Sequence, residues 1–174
     1  MEAIVDVVQG KISNYNQIDK DSIILSDEVR NLCEKNYCGS YGKNWVCPPA
    51  IENLDSIRDT FENYNNFMVL HEVYELNDSY DWEGMVNSAK DFQEKLLSVK
   101  KGFGKDFDFK IFGVGACSLC KTCTYPEDKP CRRPEDKIIS LEASGIDVMS
   151  LMKDNNLQYN NGPNTVTYIG GILY

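Results

Sequence analysis

Cys117, Cys120 and Cys123 recur with two residues between each pair, and Cys131 follows seven residues further on. Three thiolates at this interval lie on the inside of one tight turn of chain. That arrangement wraps three corners of a cubane cluster and leaves a more distant cysteine for the fourth. A structural zinc more often takes two separated C-x2-C pairs, because a tetrahedral ion is gripped from two turns and a third cysteine three residues on is an awkward ligand. The spacing therefore favours iron–sulfur over zinc. Cysteines buried only for packing have no reason to share such a period.

Upstream, Cys33, Cys38 and Cys47 form C-x4-C-x8-C within CEKNYCGSYGKNWVCPP. With glycines between them these three would also ligate a metal, although the interval is irregular. Cys33 has a second reading as a core thiol, because it falls on the apolar face of an expected helix. Cys47 precedes proline, as does the remote cysteine of two-cluster ferredoxins, which serves the other cluster. Two assignments follow. Either Cys131 completes the downstream set, the simpler choice since its loop is long enough to fold back, or Cys47 does and Cys131 serves elsewhere.

Both segments are richer in positive charge than the rest of the chain. Between Ala116 and Lys137, Lys121, Lys129, Arg132, Arg133 and Lys137 outnumber four acids, while the whole chain carries a net charge of −9. Local positive charge lowers thiolate pKa and stabilises an anionic cluster. Arg132 and Arg133 also read as ordinary solvated or ion-paired surface. Pro126, Pro130 and Pro134 stiffen the loop that delivers Cys131.

The elements that must position these residues fit in one domain spanning 1–174, with cysteine-rich segments at 33–47 and 117–131. A length of 174 residues suffices to bury a core, and 42% apolar with 26% charged residues marks a globular chain. Ser26 caps a short expected helix, and Leu54, Ile57, Phe61 and Tyr64 define a second. A long helix from about 80 to 100 shows the stripe Trp82, Met85, Ala89, Phe92, Leu96 and Val99, stopped by Gly102. Asp147 caps a last short helix. Strands are expected at 67–76, 107–114 and from Thr165 to the end. The fold class is α+β or α/β: a small sheet of three to four strands with helices packed on it and a cysteine-rich cluster-binding loop.

YGKNWVCPP followed by GACSLCKTCTYPEDKPCRRPEDKIISLEASGIDV resembles an uncharacterised prokaryotic family of predicted metal-binding proteins, a domain of unknown function. The likeness runs from about Asp27 to Tyr174. It carries over Cys33, Cys38 and Cys47 with Tyr41, Gly42 and Trp45, and Cys117, Cys120, Cys123 and Cys131 with Arg132, Pro134, Glu135 and Glu142. Leu141 stands where the pattern suggests methionine. The resemblance implies metal binding and an intracellular location, and supplies no reaction.

Other motifs yield less. His71, the single histidine, sits between Val69 and Val73 on one strand face and reads as a hydrogen-bonded core residue, with a ligand or proton donor beside the three-cysteine site as the other reading. One histidine gives little support to a Cys-His or Ser-His-Asp hydrolase. GFGK at Gly102 to Lys105 lacks phosphate-loop spacing and reads as a turn. Tyr41 and Trp45 pack over the C-x8-C turn or stack on a flat ligand.

The expected function is an iron–sulfur protein with a [4Fe–4S] cluster at Cys117, Cys120, Cys123 and Cys131, in electron transfer or cluster-dependent chemistry. A second iron–sulfur cluster at Cys33, Cys38 and Cys47 would leave a coordination position open, and an enzyme built on it would do redox or sulfur chemistry. The alternatives are a zinc-stabilised binding module without redox activity, and a metal or sulfur carrier. The expected partners are a redox protein or a small-molecule substrate. An acidic chain argues against nucleic acid, and no apolar run nears the ~20 residues of a membrane span. The acids in MEAIVDVVQGK do not suit a signal peptide, so the expected location is cytoplasmic.

Overall fold

Alternation of side chains across the strands sets the architecture, since successive residues face opposite sides. The computed structural model describes residues 2–174. In chain order it has α1 (Glu2–Val8), β1 (Asn14–Ile18), α2 (Asp27–Leu32), α3 (Leu54–Glu62), β2 (Phe67–Glu75), α4 (Trp82–Gly102), β3 (Lys110–Gly113), β4 (Ile139–Ser140), α5 (Val148–Asp154) and β5 (Thr165–Leu173). The five strands form one sheet in the order β1-β2-β5-β3-β4. All neighbours are antiparallel except β3 and β4.

Phe67 and Val69 of β2, Phe112 of β3 and Ile169 and Leu173 of β5 pack with Leu54, Ile57 and Phe61 of α3 and Leu151 and Met152 of α5. The intervening residues Met68, Leu70, Ile111 and Ile172 face the other way. They meet Ile4 and Val8 of α1 and Phe92, Leu96 and Val99 of α4. Helices thus cover both faces of the sheet. Each fully buried side chain in these layers, such as Phe92 or Leu96, contributes about 1.5–3 kcal/mol by leaving water.

The sheet has five strands, not three to four. β1 is polar (NYNQI) and β4 has only two residues, so neither shows an apolar run that sequence patterning can detect. The strand expected at 107–114 begins only at Lys110, because Phe107 and Phe109 turn aside to cluster with Phe103, at 4.9 and 4.4 Å between ring centroids. The stripe of α4 is buried only at its C-terminal half. Trp82 is 74% exposed, lying in the first turn beyond the sheet. Gly102 ends inside the helix rather than beyond it, and a Cβ there would come within 2.8 Å of Val7, so the glycine allows α1 to approach α4.

The caps at Ser26 and Asp147 are as expected: Ser26 Oγ accepts from the Val29 N–H at 3.3 Å, and Asp147 accepts from the N–H groups of Met149 and Ser150. No described helix is long and apolar enough to cross a membrane.

Candidate metal centre

β3 and β4 are parallel neighbours, so the chain between them must return to the end from which it started. Such crossovers are usually helical. Here the return is the cysteine loop, residues 114–138, with one short 3-10 turn at Tyr125–Glu127 as its regular structure. Gly115, at φ +58°, turns the chain out of the sheet toward Cys117. Loops of this length with so little structure of their own are uncommon in a packed domain unless they bind something.

The surrounding elements clamp the loop. Gln93 of α4 donates to the carbonyls of Val114 and Ala116 at 2.8 and 2.9 Å and accepts from the Ser118 hydroxyl. Arg132 donates to the Thr122 carbonyl at 2.8 Å and Arg133 to that of Leu119 at 3.4 Å. Both arginines therefore point into the loop, and Arg133 also pairs with Asp136 at 2.6 Å. Asp136 in turn meets Lys101 of α4 at 3.4 Å, and these cations hold its carboxyl below the usual carboxylate range, the Arg133 bond foremost.

Cys117, Cys120, Cys123 and Cys131 line one open-sided depression, together with Arg132, Arg133 and Lys137. All four are half-buried free thiols. Burial pushes the Cys117 thiol up, opposed by the Leu119 N–H that donates to it, and the neighbouring thiols of Cys120, Cys123 and Cys131 push it further up.

The upstream segment supplies the far wall of that depression through Asn44, Trp45 and Val46. Asn44 donates to the Cys117 carbonyl at 3.4 Å. The indole N–H of Trp45 donates to Thr124 Oγ1 and to the Lys129 carbonyl, both at 3.2 Å, and the Thr124 hydroxyl in turn donates to the Pro130 carbonyl at 2.9 Å. The indole also meets Tyr125 edge-on at 4.9 Å. Trp45 is thus packing, but on the downstream loop rather than over its own turn.

The three upstream cysteines are less alike. Cys33 follows α2 and is half-buried, Cys38 is exposed, and Cys47 is buried at 8% exposure. The Cys33 thiol is pushed up by burial, then by Cys38 and the Glu142 carboxylate, with Arg30 opposing. Cys47 is pushed up to about 12, by burial first, then by Cys38 and Cys33, then by Cys117 and Cys123. Cys47 therefore stands between the two groups, while Cys131 shares the downstream depression.

Glu142, which sequence order attaches to the downstream motif, acts on the upstream one. The stretch around it holds α2 in place: Ser26 N–H donates to the Gly145 carbonyl at 2.8 Å, and Arg30 donates to that of Ala143 at 3.2 Å. Among the described residues, no three His, Cys, Asp or Glu side chains converge closely enough to hold one metal ion.

His71 is half-buried on β2 and belongs neither to the lining of the cysteine depression nor to any group of three metal-binding side chains among the described residues. The expected hydrogen bond is missing at its Nδ1, which is buried without a partner, and burial lowers its pKa. GFGK is a turn, with Phe107 N–H donating to the Gly104 carbonyl at 3.1 Å. Gln93, Asn44 and Thr124 escaped sequence reasoning. The one available signal was Gln93, a polar residue beside Phe92 near the buried stripe of α4.

No curated protein matches the chain, and no solved structure does. The family model described as predicted metal-binding protein (DUF2284) matches residues 16–174, nearly the whole chain and both cysteine segments, and the chain belongs to that family.

Proposed function

We propose that this metal-binding protein is an iron–sulfur protein, with Cys117, Cys120, Cys123 and Cys131 holding a [4Fe–4S] cluster. The observation that carries the reading is the shared depression: four thiols at C-x2-C-x2-C-x7-C spacing line one open-sided hollow. A single zinc ion needs its ligands drawn to one point at about 2.3 Å each, and a third cysteine three residues on is an awkward ligand for it. A group with several attachment points suits three thiols recurring at two-residue intervals.

A cluster in this position supplies one-electron transfer. The chain's own groups would tune it. The Leu119 N–H donates to the Cys117 sulfur, Arg132, Arg133 and Lys137 oppose the negative charge of bound thiolates, and Trp45 and Val46 limit water on one side. Hydrogen bonds to sulfur and solvent exposure are the protein's levers on cluster potential.

Cys33, Cys38 and Cys47 make the second site of the proposal. Three thiolates would leave one position of a second cluster open to a substrate or a sulfur atom, the feature that separates catalytic from structural metal sites. The chemistry there would be redox or sulfur chemistry, with a redox protein or a small molecule as partner and a cytoplasmic location.

Iron and acid-labile sulfide analysis after strictly anaerobic purification and reconstitution tests both parts. The expected result is more than about four irons per chain with matching sulfide. Cys120→Ser removes the downstream share, about four irons. A colourless protein with stoichiometric zinc and no sulfide overturns the cluster reading, and a plateau at about four irons overturns the second site.

A further inference from the structure

A second, larger cleft opens beside the cysteine loop. It offers about 460 Å3 of open space, far more than the shallow cysteine depression. The segments that follow each cysteine group build it: Ala50 and Ile51 come shortly after Cys47, and Pro134 and Lys137 shortly after Cys131. Lys137 borders both cavities. The remaining walls are α3, the end of α4 and the strand β3.

Its lining divides into two kinds of surface. One is apolar, formed by Ile51, Phe112 and Ile139. The other carries three ammonium groups, Lys100, Lys110 and Lys137. In a chain with 27 acids against 18 basic residues, none of these three lysines has a carboxylate partner among the described residues, while the adjacent Lys101 is paired with Asp136. Lys100 is half-buried and spends one donor on the Lys137 carbonyl at 2.9 Å, and burial lowers its pKa, opposed by the nearby Asp136 and Glu135 carboxylates and helped by Lys137 and Lys110. The hydroxyls in the cleft are already committed, Thr60 to the Ser56 carbonyl and Ser144 to the Ser140 carbonyl. Glu52 is the single acid on the lining.

Free cations beside an apolar wall select for charge and body together. We propose that this cleft binds a small organic anion, its apolar body against Ile51, Phe112 and Ile139 and its charged group at Lys100, Lys110 and Lys137. The lysines act as point charges, and their remaining donors suit carboxylate, sulfonate or phosphate oxygens alike. The proposal stands on the cleft alone and holds whichever metal the cysteines carry.

The test titrates the purified, metal-loaded full-length chain with 8-anilinonaphthalene-1-sulfonate. The comparison probe is N-phenyl-1-naphthylamine, which has the same aromatic body without the sulfonate. The expected result is saturation at one sulfonate probe per chain, with the neutral probe binding about tenfold more weakly or worse. Lys110→Gln, at an exposed position that tolerates exchange, and Lys100→Gln each weaken the sulfonate by about tenfold, and leave the neutral probe and the metal content unchanged. Lys153→Gln, on α5 outside the cleft, has no effect. Equal affinity for the two probes overturns the proposal. So does sulfonate binding that is indifferent to both cleft lysines, and so does the absence of saturable binding.

Discussion

The two cysteine segments are built in opposite ways. The downstream loop returns between parallel strands, is clamped by Gln93, Arg132 and Arg133, and turns four half-buried thiols toward one volume. The upstream segment descends from the end of α2 through successive turns, and its thiols range from exposed Cys38 to buried Cys47. The downstream site is therefore held open by its scaffold, and the upstream one depends on its own turns and on the carbonyls around Ala143 that hold α2. The joint between them is Asn44-Trp45-Val46, upstream in sequence yet seated on the downstream loop.

Metal removal should break the two regions unequally, and this is the largest effect expected. Structureless loops gain their order from the metal they hold, so loss of the metal is loss of local folding energy. In protein loaded only at the downstream cysteines, stripping the metal should speed tryptic cleavage after Lys121 and Arg132 by about tenfold or more, against little change after Lys35 and Lys43. Mass spectrometry of the early fragments reads the ratio. Equal acceleration in both segments would show a single joint site and remove the distinction.

Trp45 tests the joint. Trp45→Ala removes the edge contact with Tyr125, both indole hydrogen bonds and the wall of the depression, and should cost about 3–5 kcal/mol in denaturant unfolding. Trp45→Phe keeps a ring and loses the N–H, leaving buried Thr124 short of one donor, at about 1–3 kcal/mol. If the two variants cost the same, the hydrogen bonds rather than the ring join the segments.

Legibility in the sequence followed the length and regularity of each pattern. Leu54, Ile57, Phe61 and Tyr64 stand at helical spacing and are all buried, and the strand read from the FMVLHEVYEL stretch became β2. The triple C-x2 period likewise marked side chains that do face one volume. What stayed hidden depends on contacts between distant segments. β4 has no pattern because two residues cannot alternate, and it exists only because the loop brings Ile139 and Ser140 beside Phe112 and Gly113. Glu142 lies 109 positions from the Cys33 it acts on, and Trp45 lies 79 and 84 positions from its hydrogen-bond partners. No local spacing encodes such pairs.

Gln93 sharpens the scaffold side of the comparison. Gln93→Leu keeps the volume on α4 and deletes two donors to the Val114 and Ala116 carbonyls, for an expected loss of about 1–3 kcal/mol. Hydrogen exchange should rise along residues 114–118 and stay unchanged from Cys33 to Cys47. Spread into the upstream segment would mean that the clamp orders both.

Cys47 belongs to neither region by position alone, and alkaline pH reveals which one claims it. In metal-free, reduced protein its thiol ionises only at about 12, against the ordinary 9.0. The unfolded chain therefore loses this proton first, and stability present below pH 9 declines as pH rises from there toward 12. At pH 10 the loss from Cys47 is about 1.4 kcal/mol, on top of a loss from the tyrosines that burial pushes up, Tyr64 and Tyr74 among them. Cys33 and Cys117, also pushed up by burial, add in the same direction. Thermal melts between pH 8 and 10 should show this slope, and Cys47→Ala should reduce it by that amount. A metal-bound thiolate has no proton to lose. If the slope from Cys47 persists when only the downstream cysteines are loaded and vanishes when the upstream set is loaded as well, Cys47 belongs with Cys33 and Cys38. If it vanishes at the first loading, Cys47 completes the downstream set and the three-thiol site dissolves.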